Sequence, residues 1–430
     1  MGIFLLLVYN LLAPAIALCY AALFLLSPRR GLLGNLRKEL AERLALSLPS
    51  LPERSIWVHA ASLGEVRAVK PLVPLLRGLA PSGGILITSS TSSGRSEALE
   101  LTPHAVLLPL DSYPMMRRFI SAARPELLVI AETELWPNLI CAAGAAGVPV
   151  VLVNARISPR TLSFYRFLYP VARLLFSNVS RICAQSRGDL ERFSMLPVPG
   201  SKLALTGNLK HDQVADEAKG ADEIRIFLER AGWKEKRIFC AGSTHPEEED
   251  IILDAFLKLR RAVPDARLIL APRHPESSSS SAEKLRKRGL ALQEWSRRAD
   301  AASAPDCLLL DKTGLLAGMY AFSELVFVGG TLDDTGGHNV LEPSAFSRPV
   351  LFGPNTRNTR DGAAALLEKG GGFTVRTADE LADAAIRLFK TPSAMAQAGA
   401  ASRAALVSLQ GATRSTMEKL AEFLPPRPLR

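Results

Sequence analysis

The chain has 430 residues, a formal net charge of +10 and hydrophobic residues at 48%. That length allows two ordinary domains with a core each, and the composition excludes a disordered or fibrous chain. The basic balance suits an anionic surface or substrate. Nucleic acid is not an expected partner, because Arg and Lys are dispersed without helix-turn-helix, RRM or zinc-finger spacing. The cysteines Cys19, Cys141, Cys183, Cys240 and Cys307 lie far apart. They read as small core hydrophobes in a reducing compartment. The six histidines form no HExxH-like cluster, so no metal site is expected.

At the N-terminus, residues Ile3 to Leu26 are almost wholly apolar, broken by Asn10 and Pro14. Such a run is long enough for a bilayer core of ~30 Å. Arg29 and Arg30 follow, which places the rest of the chain on the cytoplasmic side. The expectation is a transmembrane anchor over residues 1–27. Residues 28–49 carry Leu32, Leu33, Leu36, Leu40 and Leu44 at helical spacing, with Arg37, Lys38 and Arg43 off that stripe. This predicts a basic amphipathic helix, resting either on anionic lipid or on the globular part.

The soluble part then alternates strand-like and helix-like runs. Strands are expected at 56–59, 84–88, 105–108, 127–131, 148–154, 181–184 and 202–205, with a helix over 65–79 after the first. A charged stretch from His211 to Asp222 interrupts the pattern. It restarts with strands at 237–241, 267–271, 307–310, 325–328 and 349–352. Ser277 to Ser281 reads as a surface loop. Alternation of this kind implies parallel sheets covered on both faces by helices. The reading is α/β: a first domain over 50–211 and a second over 222–430, each doubly wound and Rossmann-like, with ligand between them.

Several polar groups follow the buried strands. Glu132-Thr133-Glu134-Leu135-Trp136-Pro137-Asn138 places two carboxylates where parallel sheets open their ligand crevice. Glu65, in Ala61-Ser62-Leu63-Gly64-Glu65, opens a helix; it can serve as a general base or simply compensate the helix dipole. Ala241 to Glu249 reads as a strand end, a turn capped by Ser243 or Thr244, and an acidic helix start. Pro272-Arg273-His274 puts a forked guanidinium after another strand, suited to phosphate or carboxylate. Gly329-Gly330-Thr331 and Gly336 to Pro343 form a glycine-rich loop that permits close approach of backbone to a ligand. Asn339 and Glu342 have the spacing of a capping box at a helix start. Neither a dinucleotide fingerprint nor a Walker A loop is present, so a nucleotide sugar fits this loop best. Gly207-Asn208-Leu209-Lys210 closes the first half with a cation.

Taken together, these segments, with Asn154-Ala155-Arg156-Ile157-Ser158, closely resemble the bacterial Kdo transferases over almost the whole chain, including the apolar N-terminus. The resemblance implies a GT-B fold and an inverting transfer of 3-deoxy-D-manno-octulosonic acid (Kdo) from CMP-Kdo to the lipid A precursor, without metal or other cofactor. It implies Glu65 as general base and transition-state roles for Glu132 and Lys210. It implies CMP contacts at Pro272 and Arg273, at Gly314, Leu315 and Leu316, and at Asn339, Val340, Leu341 and Glu342. The family often has Gly-Glu-Leu where this chain has Gly314-Leu315-Leu316, so a contact there would be made by backbone. The implied partners are CMP-Kdo, the lipid A precursor and anionic lipids of the inner membrane, with the catalytic part on the cytoplasmic side. Rival readings remain at this point: a catalytically silent, membrane-anchored sugar-nucleotide binder, and a GT-B epimerase or a transferase using another activated donor.

Overall fold

In the computed structural model, the structure describes residues 9–10, 39, 41–45, 51–80, 84–214, 218, 220–300 and 304–424. The single-pass anchor expected over 1–27 and the amphipathic helix expected over 28–49 lie outside these residues, apart from Tyr9, Asn10, Glu39 and 41–45. Among the described residues, no helix is long and apolar enough to cross a membrane.

The chain forms two compact units. One comprises Met1–Gln213 with Gln410–Arg430, the other Val214–Leu409. The first unit holds the strands β1 (Ile56–His59), β2 (Ile85–Ser89), β3 (Ala105–Leu107), β4 (Leu127–Ala131), β5 (Val150–Ala155), β6 (Arg181–Ala184) and β7 (Leu203–Leu205). Their spatial order is β3-β2-β1-β4-β5-β6-β7, with every pairing parallel. The order reverses between β1 and β4, which opens a crevice beyond their carboxyl ends. Alternate residues of these strands feed two cores. Trp57, Leu128, Ile130 and Leu152 face one helical layer; Val58, Val129, Ala131, Val151 and Val153 face the other. Burial of each large apolar side chain is worth about 1.5–3 kcal/mol, which holds the strand ends in register.

In the second unit the strands are β8 (Arg237–Thr244), β9 (Ala266–Pro272), β10 (Leu292–Glu294), β11 (Cys307–Leu309), β12 (Leu325–Val328), β13 (Val350–Phe352) and β14 (Gly372–Thr374). They run β10-β11-β9-β8-β12-β13-β14, again all parallel. Here the order reverses between β8 and β12. Cys240, Ile269, Val326 and Val328 pack on one face, and Phe239, Ala241, Leu268 and Phe327 on the other.

Some expectations need correction. The helix expected over 65–79 is two helices, Leu63–Val69 and Leu72–Leu79, interrupted at Lys70-Pro71; proline cannot continue a helical hydrogen-bond ladder. Ser278–Lys287 is a helix rather than a loop. Its Ser281 is buried and donates to Glu249 Oε1 at 2.7 Å, so local serine composition gave way to a tertiary hydrogen bond. The expected second domain reached 430, yet the helix Ala412–Ala421 belongs to the first unit. There Ala412, Leu420 and Leu424 complete the core around Cys183 and Leu209. Asp212 holds the start of that helix, accepting from Gly411 N at 2.7 Å and Thr413 N at 2.6 Å.

Tyr9 and Asn10 are tied to other residues of the first unit. Tyr9 donates to Asp111 Oδ2 at 3.0 Å, and Asn10 donates to Asn138 Oδ1 at 2.9 Å while accepting from Tyr113 N at 3.2 Å. Asp111 in turn accepts from Asn138 N and Leu139 N at the head of the helix Pro137–Ala145. After the run, Arg43 donates to Ser90 O at 2.9 Å and accepts from Leu110 N at 2.8 Å. Glu42 pairs with Arg95 at 3.1 Å.

Candidate active site

In the first unit, β1 and β4 flank the crevice, and each delivers a carboxylate. Ser62 caps the helix Leu63–Val69, and Glu65 sits in that helix's first turn. The Glu65 carboxylate is buried, accepting from Ala61 N at 2.6 Å and from the Ser62 hydroxyl at 3.1 Å. Burial pushes its pKa above the ordinary value. The Ala61 N–H opposes that shift, and the negative charges of Glu134 and Glu132 add to it. Glu134 is raised as well, chiefly by burial. Three carboxyl groups thus share one neighbourhood, and burial raises both Glu65 and Glu134.

Glu132 occupies the left-handed backbone region at φ 53°. For a residue with a side chain this costs roughly 1–2 kcal/mol. The conformation turns its buried carboxylate between two cations: Arg156 Nε at 2.8 Å and Lys210 Nζ at 3.2 Å. Those cations are 60% and 48% exposed, so each pair returns only about 0–1 kcal/mol. Stability alone does not account for the strained turn, whereas a site that gathers opposite charges does. Asn154, at the end of the neighbouring β5, is also left-handed at φ 52° and accepts from Leu209 N at 3.0 Å. It thereby fixes the segment that presents Lys210.

In the second unit, β8 and β12 flank the corresponding crevice. Ser243 near the end of β8 is left-handed at φ 56°. The cap of the helix Pro246–Ala262 is His245 rather than the expected Ser243 or Thr244, paired with Glu248 three residues on. Glu248 is buried and ties two loops together. Its carboxylate accepts from His245 N at 3.0 Å, Gly330 N at 2.7 Å and Leu332 N at 3.3 Å. Burial lifts its pKa to about 7 against the pull of those N–H groups. A side chain at Gly329 would collide with Glu248 Oε1 and with the Ser243 carbonyl, so only glycine lets the end of β12 pass so closely.

Three histidines converge here that are far apart in sequence. His245 and His338 stack at 5.1 Å with their Nε2 atoms 2.8 Å apart. One imidazole must donate and the other accept, so both cannot be charged together. Burial, with Arg273 and His245 nearby, lowers the His338 pKa to about 4. His274 meets His245 edge-on at 6.0 Å. His245, Glu247 and Asp333 also bring potential metal-ligand atoms within 4.8 Å of one another, a grouping that sequence spacing conceals.

Arg273 is exposed, directly after Pro272 at the end of β9, with its backbone N–H on Thr244 O at 2.9 Å. Its charge reaches Glu342, whose pKa is raised mainly by burial while Asn339 and Arg273 lower it. Asn339 Oδ1 accepts from Leu341 N at 3.1 Å, and Asn339 Nδ2 donates to Glu342 Oε1 at 3.4 Å. The helix expected to begin there is only a four-residue 3-10 turn, Pro343–Phe346. The prolines and the left-handed Ser347 bound it closely. Val340 and Leu341 are core residues.

The sequence profile described as 3-Deoxy-D-manno-octulosonic-acid transferase (kdotransferase) matches residues 38–213. The chain is 34% identical to the 3-deoxy-D-manno-octulosonic acid transferase of Haemophilus influenzae, over 96% of this chain and 97% of that one. It belongs to the Kdo transferase family. The Bordetella pertussis transferase is 33% identical over 86% of this chain and 87% of its own length. Among solved structures, UDP-GlcNAc 2-epimerase from Neisseria meningitidis aligns with TM-score 0.59 at 13% identity, over 85% of this chain and 99% of that one. A glycosyltransferase from Rickettsia africae aligns with TM-score 0.58 at 12% identity, over 86% and 98%. These establish a GT-B-like fold of two parallel seven-stranded sheets. The family relationship makes this protein a glycosyltransferase.

The Kdo transferase motifs divide between the units. Glu65, Glu132 and Lys210 lie in the first; Glu132 and Lys210 touch, and Glu65 feels the charge of Glu132. Pro272, Arg273, Asn339 and Glu342 lie in the second, where Arg273 and Glu342 interact. Gly314, left-handed at φ 89°, precedes the helix Leu316–Phe322, and the Leu315 and Leu316 side chains pack against the core. Sequence reasoning gave no role to Arg156, His245, His338, Glu248 or Asp333. All but Glu248 and Asp333 stand inside motifs that carried the resemblance, and their adjacency arises only from the parallel order of the strands.

Proposed function

We propose that this Kdo transferase moves one or more Kdo units from CMP-Kdo to the lipid A precursor, lipid IVA, in lipopolysaccharide biosynthesis, with inversion at the anomeric carbon. The observation that carries the mechanism is the buried Glu65, raised in pKa and fixed by Ala61 N–H and Ser62. In this reading Glu65 removes the proton from an acceptor hydroxyl. The acceptor oxygen bonds to the anomeric carbon as the bond from that carbon to the CMP phosphate breaks, and CMP leaves with the electron pair. Lys210 and Arg156, paired with Glu132, supply positive charge beside the acceptor's anionic groups. No metal or other cofactor forms part of this reading. The N-terminal apolar stretch attaches the protein to the inner membrane, with the catalytic units on the cytoplasmic side.

Purified protein, CMP-Kdo and lipid IVA should yield a lipid heavier by whole Kdo units in mass spectrometry. CMP binding without any product would instead mark a silent binder. Donor altered without acceptor would mark an epimerase.

The second unit is assigned to the donor. Arg273 and backbone amides of the glycine-rich loop take the phosphate, and Glu342 accepts ribose hydroxyls. Arg273→Ala should then weaken CMP binding about tenfold or more, since a charge-assisted hydrogen bond is worth ~1.5–3 kcal/mol. Glu342→Gln keeps the shape of the turn but loses the charged acceptor, and should weaken CMP binding more modestly. Isothermal titration of CMP into both variants, with melting curves as a folding check, decides it. Unchanged affinity in both would move the nucleotide elsewhere.

A further inference from the structure

The break in the helix after β1 has a use. Leu63–Val69 stops at Lys70-Pro71. Pro71 has no N–H, so the carbonyl of Arg67 loses the partner that a continuing helix would supply. Lys70 N reaches that carbonyl only at 3.3 Å. Gln213, distant in sequence, fills the gap. Its Nε2 donates to Arg67 O at 2.8 Å and to Ala68 O at 2.9 Å. A side-chain amide thus closes the helix whose first turn carries Glu65. That helix has only seven residues, too few to hold its shape without tertiary ties. Its far end lies about one turn beyond Glu65.

Gln213 belongs to the 3-10 turn Leu209–Gln213, which also carries Lys210. Side chains three residues apart in such a turn fall in line. Lys210 Nζ donates to Glu132 Oε1 at 3.2 Å, while Gln213 holds the Glu65 helix. The turn is itself secured from two further sides. Leu209 N donates to the buried Asn154 at 3.0 Å. Asp212 accepts from Gly411 N at 2.7 Å and Thr413 N at 2.6 Å, at the start of the last helix. Gln213 is exposed, where a hydrogen bond adds little to stability because water competes for it. What the bond does supply is a fixed spacing between two parts of the site.

We propose that Gln213 is a positioning residue for Kdo transfer, which through this turn sets the spacing between the Glu65 carboxylate and the Lys210 ammonium. The inference deepens the mechanism given above and rests on the roles assigned there to Glu65 and Lys210. Glu65 takes the acceptor's hydroxyl proton while Lys210 steadies its anionic groups, so both must meet one acceptor molecule at once. A displacement of ~1 Å in such an arrangement can cost about 10²-fold in rate. Gln213 itself touches no substrate.

The test compares Gln213→Ala, Gln213→Glu and Gln213→Lys in the full chain, with CMP-Kdo and lipid IVA as substrates. Alanine removes the donor, and ionised glutamate sets a negative charge against two carbonyls. Lysine restores a donor, at a helix C-terminus where a cation is favoured. The alanine and glutamate variants should lose about 10- to 10²-fold in kcat, with CMP affinity and melting temperature close to wild type. The lysine variant should recover most of that rate. In a double-variant cycle the Gln213→Ala loss should shrink to about twofold or less once Lys210 is alanine, because the two residues act through one turn. Wild-type kcat in Gln213→Ala and Gln213→Glu, with Glu65→Gln and Lys210→Ala impaired, would overturn the proposal and leave the mechanism standing. A loss that lysine does not recover, that follows the melting temperature, or that adds in full to the Lys210→Ala loss would overturn it as well. Wild-type transfer by both Glu65→Gln and Lys210→Ala would instead remove the mechanism, and the proposal with it.

Discussion

Glu65→Gln is expected to cut Kdo transfer by about 10²–10⁴-fold, the usual consequence of losing a general base. The amide oxygen can still accept from Ala61 N while its NH2 group donates to the Ser62 hydroxyl, so the melting temperature and CMP affinity should hardly move. That separates the base from its bland alternative. A Glu65 serving only as a helix-capping carboxylate predicts near wild-type turnover in the glutamine variant. The pH profile adds a second readout. The base works deprotonated, so activity should fall as pH drops through the Glu65 pKa, which burial places above the ordinary 4.5. Removing a neighbouring negative charge with Glu134→Gln should lower that pKa and move the acid limb to lower pH. An acid limb that stays put would separate the two carboxylates.

The second large effect is on stability. Glu248→Ala leaves His245 N, Gly330 N and Leu332 N without their acceptor. Each buried unsatisfied donor costs about 1–3 kcal/mol, while losing a carboxylate that is itself costly to bury offsets part of that. A net loss of roughly 2–4 kcal/mol would lower the unfolding transition of the second unit by about 5–15 °C. The pH dependence has a definite sign. The folded-state pKa of about 7 stands above the unfolded carboxylate's 4.5. The stabilisation from proton binding at Glu248 is therefore complete below about 4.5 and is lost as pH rises through about 7. Glu248→Gln removes that dependence, so the melting temperature of the variant relative to wild type should climb between pH 5 and 8. A constant difference over that range would mean that Glu248 titrates like an ordinary surface carboxylate.

Much of this was legible in the sequence because buried parallel strands announce themselves as short apolar runs. Leu127–Ala131 and Leu325–Val328 have the expected bounds, and Arg181–Ala184 does too. The strands β10 and β14 were not legible, since Leu292-Gln293-Glu294 and Gly372-Phe373-Thr374 are three-residue edge strands without an apolar run. Glu132 could be found from its position after a strand. Its left-handed backbone and its bond to Arg156 could not, because neither leaves a trace in residue spacing. The stacked pair His245 and His338 was hidden for a similar reason. The two residues follow β8 and β12, which are distant in sequence and become neighbours only at the reversal of strand order. Glu248 looked like one more acidic residue in a first helical turn; only the fold shows it buried and bound to three amides.

The return of the last helix to the first unit makes the second unit an uninterrupted cassette between 213 and 410. A chimera meant to exchange the second unit should therefore be cut at two places, Gln213/Val214 and Leu409/Gln410, and should retain Ala412–Ala421 with the recipient. A simple two-piece fusion joined near 213 would bring in a foreign final helix. Asp212 would then face the wrong cap, and Leu209 and Cys183 would lose Leu420 from their core. For the same reason, trimming the C-terminus back to Leu409 damages the half of the protein that begins at the N-terminus.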